Sequence, residues 1–174
     1  MIGRLVVCCL LLFSLAALEA ATTPASADDP SFITIGGGVY DVTQNDDVAA
    51  DFRVEYRHGE KLWLFKPWVG AEVTTDGAVY GALGILMDIF FGRRVVLTPS
   101  FGAGLYSDGG GKDLGSVIEF RSQVEIAYRF NDRSRLGLAI SHISNASIGD
   151  DNPGTEILTL YYSIPFGKIF PASP

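Results

Sequence analysis

A serine, a histidine and a glutamate near the end of the chain have the types and spacing that acyl transfer to a serine requires. His142 and Ser144 lie two residues apart in LAISHISNA, and Glu156 follows a short loop in NPGTEILTL. An imidazole can take the proton of a serine hydroxyl, and a carboxylate fixes the tautomer of that imidazole and stabilises the imidazolium that forms. The three residues therefore predict a triad with Ser144 as nucleophile, His142 as base and Glu156 as orienting acid.

The three residues share one face of a predicted hairpin. Alternation of apolar and polar residues predicts strands at 135–145 and 155–166. Residues two apart point to the same side of a strand, so His142 and Ser144 lie on the apolar face of the first strand and Glu156 on that of the second. A loop that closes symmetrically places His142 opposite Glu156, where the Cβ atoms of a cross-strand pair are about 5 Å apart.

The loop between these two strands offers amide donors for an oxyanion hole. The dipeptide Asn145–Ala146 begins the loop and the tripeptide Asn152–Gly154 ends it. Preorganised N–H groups stabilise the charge that develops on a carbonyl oxygen during acyl transfer. Both ends of the loop are therefore candidate parts of the site.

Period-two alternation continues through the chain after residue 27 and is clearest in VIEFRSQVEIAYRF. Eight antiparallel strands of this length suit a small outer-membrane barrel, in which a tilted strand needs about 9–11 residues to cross. We predict an all-β fold, an eight-stranded antiparallel transmembrane β-barrel, as a single domain at residues 28–174. The predicted strands are about 31–42, 50–58, 62–75, 77–91, 94–106, 115–130, 135–145 and 155–166.

The alternation fits a membrane barrel with charges inside, but it fits a soluble barrel with the faces reversed equally well. The mean hydropathy of +0.25 is high for a secreted soluble domain. No apolar run after residue 27 reaches the roughly 18 residues of a helical span. In a membrane barrel, the charged residues of the strands would form an ionic network that fills a narrow lumen. These residues are Arg53, Glu55, Arg57, Glu119, Arg121, Glu125 and Arg129.

The first 27 residues have the pattern of a cleaved signal peptide. Arg4 is followed by the apolar segment 5–18, and small residues precede candidate cleavage sites after residue 20 and after residue 27. Both cysteines lie in this segment, so the mature chain would contain no disulfide. Its net charge would stay at −7, because one arginine and one glutamate are removed. The absence of a basic patch argues against nucleic-acid binding.

Loop lengths predict which end of the barrel faces outward. If both termini are periplasmic, the turns at 58–61, 91–94 and 131–134 are on the periplasmic side and are short, as expected for such barrels. The outer connections are then 43–47, 75–77, 107–113 and 145–154. The candidate triad would lie at the outer end of the wall, facing lipid.

The pattern HISNA, followed by NPGTE and an apolar strand, resembles the lipid A 3-O-deacylase (PagL-like) family of outer-membrane barrels. The resemblance covers the barrel in strand count and is specific only at 142–156. It implies an esterase with Ser144, His142 and Glu156 as the triad, and lipid A or lipopolysaccharide of the outer leaflet as substrate. It also implies an oxyanion-hole and substrate-positioning group of Asn152, Ser147 and Asn145, with no metal and no organic cofactor.

Three features depart from the family pattern or bear on efficiency. Ile143 stands where the resemblance leads us to expect an aromatic residue, and Ser147 stands where we expect a glycine. Serine also has a backbone N–H, but its backbone is less permissive than that of glycine. Asp150 and Asp151 place negative charge beside an anionic substrate. These departures affect the expected efficiency more than the expected chemistry.

Two other functions stay open at the level of the sequence. A non-catalytic, OmpA-like barrel would stabilise the membrane or adhere through its loops, and a soluble periplasmic barrel would bind an apolar ligand inside. The sequence also leaves a homodimer open.

Overall fold

The computed structural model describes residues 29–44 and 46–171, and the predicted signal peptide lies outside these residues. The described residues form eight strands and one short helix. The strands are β1 (Phe32–Tyr40), β2 (Ala49–Arg57), β3 (Lys66–Thr74), β4 in two pieces (Val79–Leu86 and Ile89–Phe91), β5 (Val95–Ser107), β6 (Ile118–Arg129), β7 (Arg135–Ser144) and β8 (Thr155–Pro165), followed by α1 (Phe166–Ile169).

The eight strands form a closed antiparallel barrel in which each strand pairs with its neighbours in the chain. The ring is completed by β1 and β8, which pair along the whole length of β1 from Phe32↔Pro165 to Tyr40↔Ile157. Closure gives the backbone N–H and C=O groups of the first and last strands hydrogen-bond partners, which lipid cannot provide. The predicted fold class is confirmed. The one helix of the described residues, α1, is not long and apolar enough to span a membrane.

The outer surface of the barrel is apolar and its lumen is polar. On β6, the outward-facing Val124 and Ile126 are 45% and 57% exposed, whereas Glu119 and Glu125 are fully buried in the lumen. This is the arrangement of a transmembrane barrel, with apolar side chains toward lipid and charged ones inside. A soluble barrel with an apolar interior is therefore excluded.

Ion pairs fill the lumen, as the sequence predicted, and they include six of the seven charged residues that the sequence indicated. Among the described residues, the buried carboxylate of the seventh, Glu119, has no hydrogen-bond partner. Arg57 lies 2.9 Å from both Glu55 and Glu125, and Arg121 lies 2.5 Å from Glu55. The guanidinium of Arg121 also lies 4.2 Å from the ring centre of Trp68. Side chains from β2, β3 and β6 thus meet across the lumen, and removing one partner would leave a buried charge without its counter-ion.

β4 is interrupted at residues 87–88, where the sequence predicted one continuous strand. The register is the same before and after the interruption. Pro99 on β5 has no N–H, so the ladder loses one hydrogen bond there. The Met87 N–H still donates to the Pro99 carbonyl, at 3.1 Å.

β3 begins at Lys66, so the prediction of a strand from residue 62 is wrong. Leu62 and Phe65 exchange backbone hydrogen bonds of 2.7 and 3.2 Å and form a tight turn. Trp63, at the tip of this turn, has a φ of 63°, which lies outside the extended region that a strand requires.

Four connections lie at one end of the barrel, which we call the loop end: the short loop 2 between β3 and β4 (residues 75–78) and three longer loops. Loop 1 joins β1 to β2 (residues 41–48), loop 3 joins β5 to β6 (108–117), and loop 4 joins β7 to β8 (145–154). Buried residues close the lumen beneath these loops and support the adjoining ends of β7 and β8. They include Tyr40, Tyr80, Tyr106, Leu114, Ile143 and Ile157.

Candidate functional site

Strands β7 and β8 bring His142 and Glu156 together at the loop end. The two residues are direct cross-strand partners, which confirms the predicted pairing. Both point outward, because their neighbours in the chain point into the lumen and are at most 2% exposed: Ser141, Ile143, Thr155 and Ile157. These four buried side chains therefore fix the backbone on which His142 and Glu156 point outward.

The imidazole of His142 and the carboxylate of Glu156 are hydrogen-bonded, with 2.9 Å between Nδ1 and Oε1. Their side chains are 46% and 26% exposed, so the pair is accessible from the outer surface. A carboxylate at Nδ1 selects the tautomer with a proton on that nitrogen. Nε2 is then the nitrogen that can accept a proton from a hydroxyl.

Ser144 is the last residue of β7 and lies on the same outward face as His142, in half-buried surroundings. A strand rises about 3.3 Å per residue, so the two Cα atoms are separated by roughly 6–7 Å. Within the described residues, the Ser144 hydroxyl and the imidazole share no hydrogen bond. Such bonds are often long in unliganded enzymes and tighten when substrate binds.

Asn145 follows Ser144 and turns its side chain into loop contacts. The residue is fully buried. Its Nδ2 donates to the carbonyl oxygens of Leu114 in loop 3, at 2.8 Å, and of Asp151 in loop 4, at 2.7 Å. The side chain therefore ties the two loops together, and its position differs from the outward one that contact with substrate requires.

Ser147, where the family pattern led us to expect glycine, has a left-handed backbone with a φ of 63°. Ala146 has a φ of 54°, and the Ile148 N–H donates to the Asn145 carbonyl across the two residues, at 3.1 Å. Two consecutive residues with positive φ are typical of a type I′ turn, which glycine and asparagine fill with the least strain. The serine departure thus falls at a position where glycine has a physical advantage.

The candidate oxyanion donors are used differently from one another. The Ser147 N–H donates to Asn145 Oδ1 at 2.9 Å, inside the loop. Asn152 accepts the Asn145 backbone N–H at its Oδ1, at 3.0 Å. Among the described residues, the Asn152 NH₂ group makes no hydrogen bond. Asn152 thus keeps a donor for a ligand, whereas Ser147 must first release its present acceptor.

Gly154 is a part of the site whose role the sequence did not reveal. It has a φ of 63°, and a Cβ placed on it would lie 2.9 Å from Cε1 and 3.5 Å from Nε2 of His142. A side chain at this position would displace the imidazole on the side of its free nitrogen. The sequence indicates the tripeptide Asn152–Gly154 only as a source of N–H donors and does not indicate that it packs against the imidazole.

Thr43 of loop 1 is a second residue that the sequence analysis missed. Its hydroxyl donates to Oε2 of Glu156, the carboxylate oxygen that His142 does not use. The two residues are 113 positions apart, and no local pattern connects them. They meet because the closed barrel places loop 1 beside β8.

Loop 4 carries two acidic residues next to the strands of the site. Asp150 and Asp151 are exposed in loop 4. Within residues 29–44 and 46–171, no group of three or more histidine, cysteine, aspartate or glutamate side chains is arranged to hold a metal ion.

Comparisons with known proteins agree with the fold and with the family that the sequence resembles. The family model described as "Lipid A 3-O-deacylase (PagL)" matches residues 47–165. The chain is 30% identical over 102 residues to "Lipid A deacylase PagL" of Bordetella bronchiseptica; this alignment spans 57% of each protein, a little over half the length of that relative.

Among solved structures, the crystal structure of the outer membrane enzyme PagL superposes with a TM-score of 0.63 at 19% identity, covering 77% of this chain and 99% of that one. A de novo designed transmembrane β-barrel superposes with a TM-score of 0.54 at 11% identity, covering 78% and 98%. Both similarities concern the fold. Neither comparison supports the homodimer that the sequence leaves open.

Proposed function

Because the chain belongs to the lipid A 3-O-deacylase (PagL) family, we propose that it is an outer-membrane serine esterase acting on lipid A. The reaction would remove the ester-linked 3-hydroxyacyl chain at the 3-position. The observation that carries this proposal is the hydrogen-bonded His142–Glu156 pair, which lies on the lipid-facing wall in line with Ser144. The closed barrel with an apolar exterior is the support that such a site needs in a membrane.

The proposed reaction begins with attack of Ser144 Oγ on the ester carbonyl, as Nε2 of His142 takes the hydroxyl proton. Glu156 holds Nδ1 and stabilises the imidazolium. The negative charge on the carbonyl oxygen is stabilised by the NH₂ group of Asn152. Collapse breaks the ester bond, and the imidazolium gives its proton to the departing 3-oxygen of the sugar.

The acyl-enzyme is then hydrolysed by water. His142 takes a proton from the water, and the resulting hydroxide adds to the acyl carbonyl. Collapse returns the proton to Ser144 and releases a free 3-hydroxy fatty acid. The products are this fatty acid and a lipid A with one acyl chain fewer, and the enzyme is regenerated unchanged.

The apolar wall beside Ser144 supports the proposal of a lipid substrate. Ser144 has Phe120 of β6 as its cross-strand neighbour, and the ring of Phe120 stacks on Phe101 at 6.1 Å. An acyl chain leaving the ester can therefore continue along an apolar wall. A charged pair at the loop end also costs less than one near the middle of the bilayer, where basic groups cost about 2–4 kcal/mol.

A serine-directed fluorophosphonate tests this proposal against a non-catalytic barrel. His142 has two outward serines beside it, Ser144 on its own strand and Ser122 directly opposite on β6. We expect the label on the Ser144 peptide, no label in Ser144→Ala, and unchanged labelling and lipopolysaccharide hydrolysis in Ser122→Ala. Full hydrolysis by Ser144→Ala, or a label on Ser122, would overturn the assignment.

A further inference from the structure

Loop 1 holds Glu156 from the side opposite to His142. The Thr43 hydroxyl donates to Glu156 Oε2, and the Val42 backbone N–H donates to the Glu156 carbonyl oxygen at 3.0 Å. His142 occupies the other carboxylate oxygen, Oε1. Side chain and backbone of Glu156 are therefore both bound by loop 1.

The same loop also contacts the segment that packs against the imidazole. Nε2 of Gln44 donates to the Pro153 carbonyl at 3.0 Å. Pro153 immediately precedes Gly154, where an added Cβ would lie 2.9 Å from Cε1 of His142. Loop 1 thus contacts the surroundings of both the base and the acid.

Loop 1 is itself held in place by buried polar contacts. Asp41 is fully buried; its Oδ2 accepts the N–H groups of Asp46 and Asp47, at 3.0 and 3.1 Å. Its Oδ1 accepts the Lys112 ammonium of loop 3 at 2.7 Å, and the same ammonium donates to Gln44 Oε1 at 2.6 Å. Burial alone would raise the pKa of Asp41, but these hydrogen bonds outweigh it and hold the pKa below its usual range.

We propose that loop 1 is part of the active site and that Thr43 is a positioning residue, which fixes the Glu156 carboxylate so that Oε1 faces Nδ1 of His142. A partly exposed glutamate side chain has several accessible rotamers. A second hydrogen bond on Oε2 selects one of them, and the imidazole is oriented only in that one. This inference rests on the proposed esterase function. Thr43 also precedes the segment that the family model matches, so the family match does not assign it.

A pair of substitutions at Thr43 tests the role of the hydroxyl. Thr43→Val removes the donor at nearly constant shape, and Thr43→Ser keeps it. For Thr43→Val we expect kcat on purified lipopolysaccharide to fall about 10- to 100-fold with KM within about twofold, because the lost interaction orients the base and does not bind substrate. Thr43→Ser should stay within about threefold of the wild-type kcat. The urea midpoint of the gel-shift unfolding transition should be the same for both variants.

A double-mutant cycle shows whether the effect passes through Glu156. In a Glu156→Gln background, Thr43→Val should change kcat by less than about twofold, because the orienting carboxylate is already absent. Three results would overturn the role of Thr43. They are an equal loss of kcat from Thr43→Val with and without Glu156→Gln, a wild-type kcat in Thr43→Val, and a kcat of Thr43→Ser as low as that of Thr43→Val. Ser144→Ala, measured alongside, separates the two levels: activity in Ser144→Ala refutes the esterase itself, whereas an inactive Ser144→Ala with a fully active Thr43→Val refutes only the role of loop 1.

Discussion

The lumen and the loop end of this barrel both pair carboxylates with basic side chains, but in different surroundings. In the lumen, Glu55 contacts Arg57 and Arg121, and all three side chains are at most 4% exposed. At the loop end, Glu156 contacts His142, and the imidazole is nearly half exposed with Nε2 left for another partner. The charged groups of the lumen contact one another inside the barrel, whereas the His142–Glu156 pair lies on the lipid-facing wall.

Two serines on the same strand sharpen this contrast. Ser141 points into the lumen, where its hydroxyl accepts a hydrogen bond from Arg53 at 3.2 Å. Ser144, three residues later, points outward beside His142. A guanidinium cannot take a proton from a hydroxyl, whereas a neutral imidazole can. Strand alternation thus places one serine in the hydrogen-bond network of the lumen and the other in the proposed active site.

The largest expected effect comes from removing His142, the proposed base. His142→Ala should lower kcat by about 10⁴-fold, which corresponds to about 5 kcal/mol of transition-state stabilisation. The matched control is His58→Ala, because His58 lies in the turn between β2 and β3 and contacts Tyr56. It should keep kcat within about twofold. A similar loss in both variants would mean that the effect is structural.

A substitution in the lumen should have the opposite profile. Arg121→Met leaves Glu55 without one of its counter-ions. We therefore expect the free energy of unfolding to fall by about 3–5 kcal/mol. The kcat of the folded protein should stay within about twofold of wild type. Urea unfolding followed by gel shift measures the first quantity, with the exposed Arg93→Met as control. If the Arg121→Met protein were stable but inactive, the lumen could not be separated from the loop end as the region that contributes stability and not activity.

An intermediate effect is expected where the backbone touches the imidazole. Gly154→Ala places a methyl group against His142, and we expect kcat to fall about 10- to 100-fold through displacement of the base. Gly92→Ala carries a similar backbone strain, with a φ of 67°, but its Cβ meets nothing within 4 Å. It should therefore lose some stability and keep its activity. Equal activities of the two variants would argue against the positioning role of Gly154.

The smallest effect is expected at an exposed ion pair beyond the strands. Lys168 donates to Asp132 at 2.6 Å; this bond, together with bonds from the Ser134 hydroxyl and backbone N–H, lowers the pKa of Asp132 to about 2. An aspartate whose pKa is lower in the folded protein stabilises the fold at pH values above its pKa in the unfolded chain, about 3.9. This contribution is lost as the pH falls toward 2. In Lys168→Met, NMR titration should show a higher pKa for Asp132, still below its usual range, with activity unchanged. An unaltered pKa would show that the pair does not form in solution.

Much of the fold and the main pairing of the site followed from alternation in the sequence. A one-residue error in register would have moved His142 into the lumen, and the apolar residues on the same face exclude that. The same logic placed Glu156 opposite, because a hairpin loop fixes the register of its two strands. Local pattern was therefore sufficient wherever the relevant partner was on the next strand.

The parts that the sequence did not reveal depend on distant contacts or on single residues. Thr43 reaches Glu156 only because β1 pairs with β8 when the barrel closes. Pro99 interrupts β4 from the neighbouring strand. The side chain of Asn145 was predicted as a substrate contact, yet it binds the carbonyl of Leu114 in a different loop. Period-two patterns carry no information on such contacts between loops.

The central claim is that Ser144, activated from the outer wall, releases an acyl chain from lipid A, and mass spectrometry of lipid A from producing cells tests it directly. Cells that make the wild-type protein should contain lipid A lighter by one 3-hydroxyacyl chain, with the ester lost at the 3-position. Cells that make Ser144→Ala at the same level in the outer membrane should contain unmodified lipid A. The same mass loss with Ser144→Ala would contradict the claim.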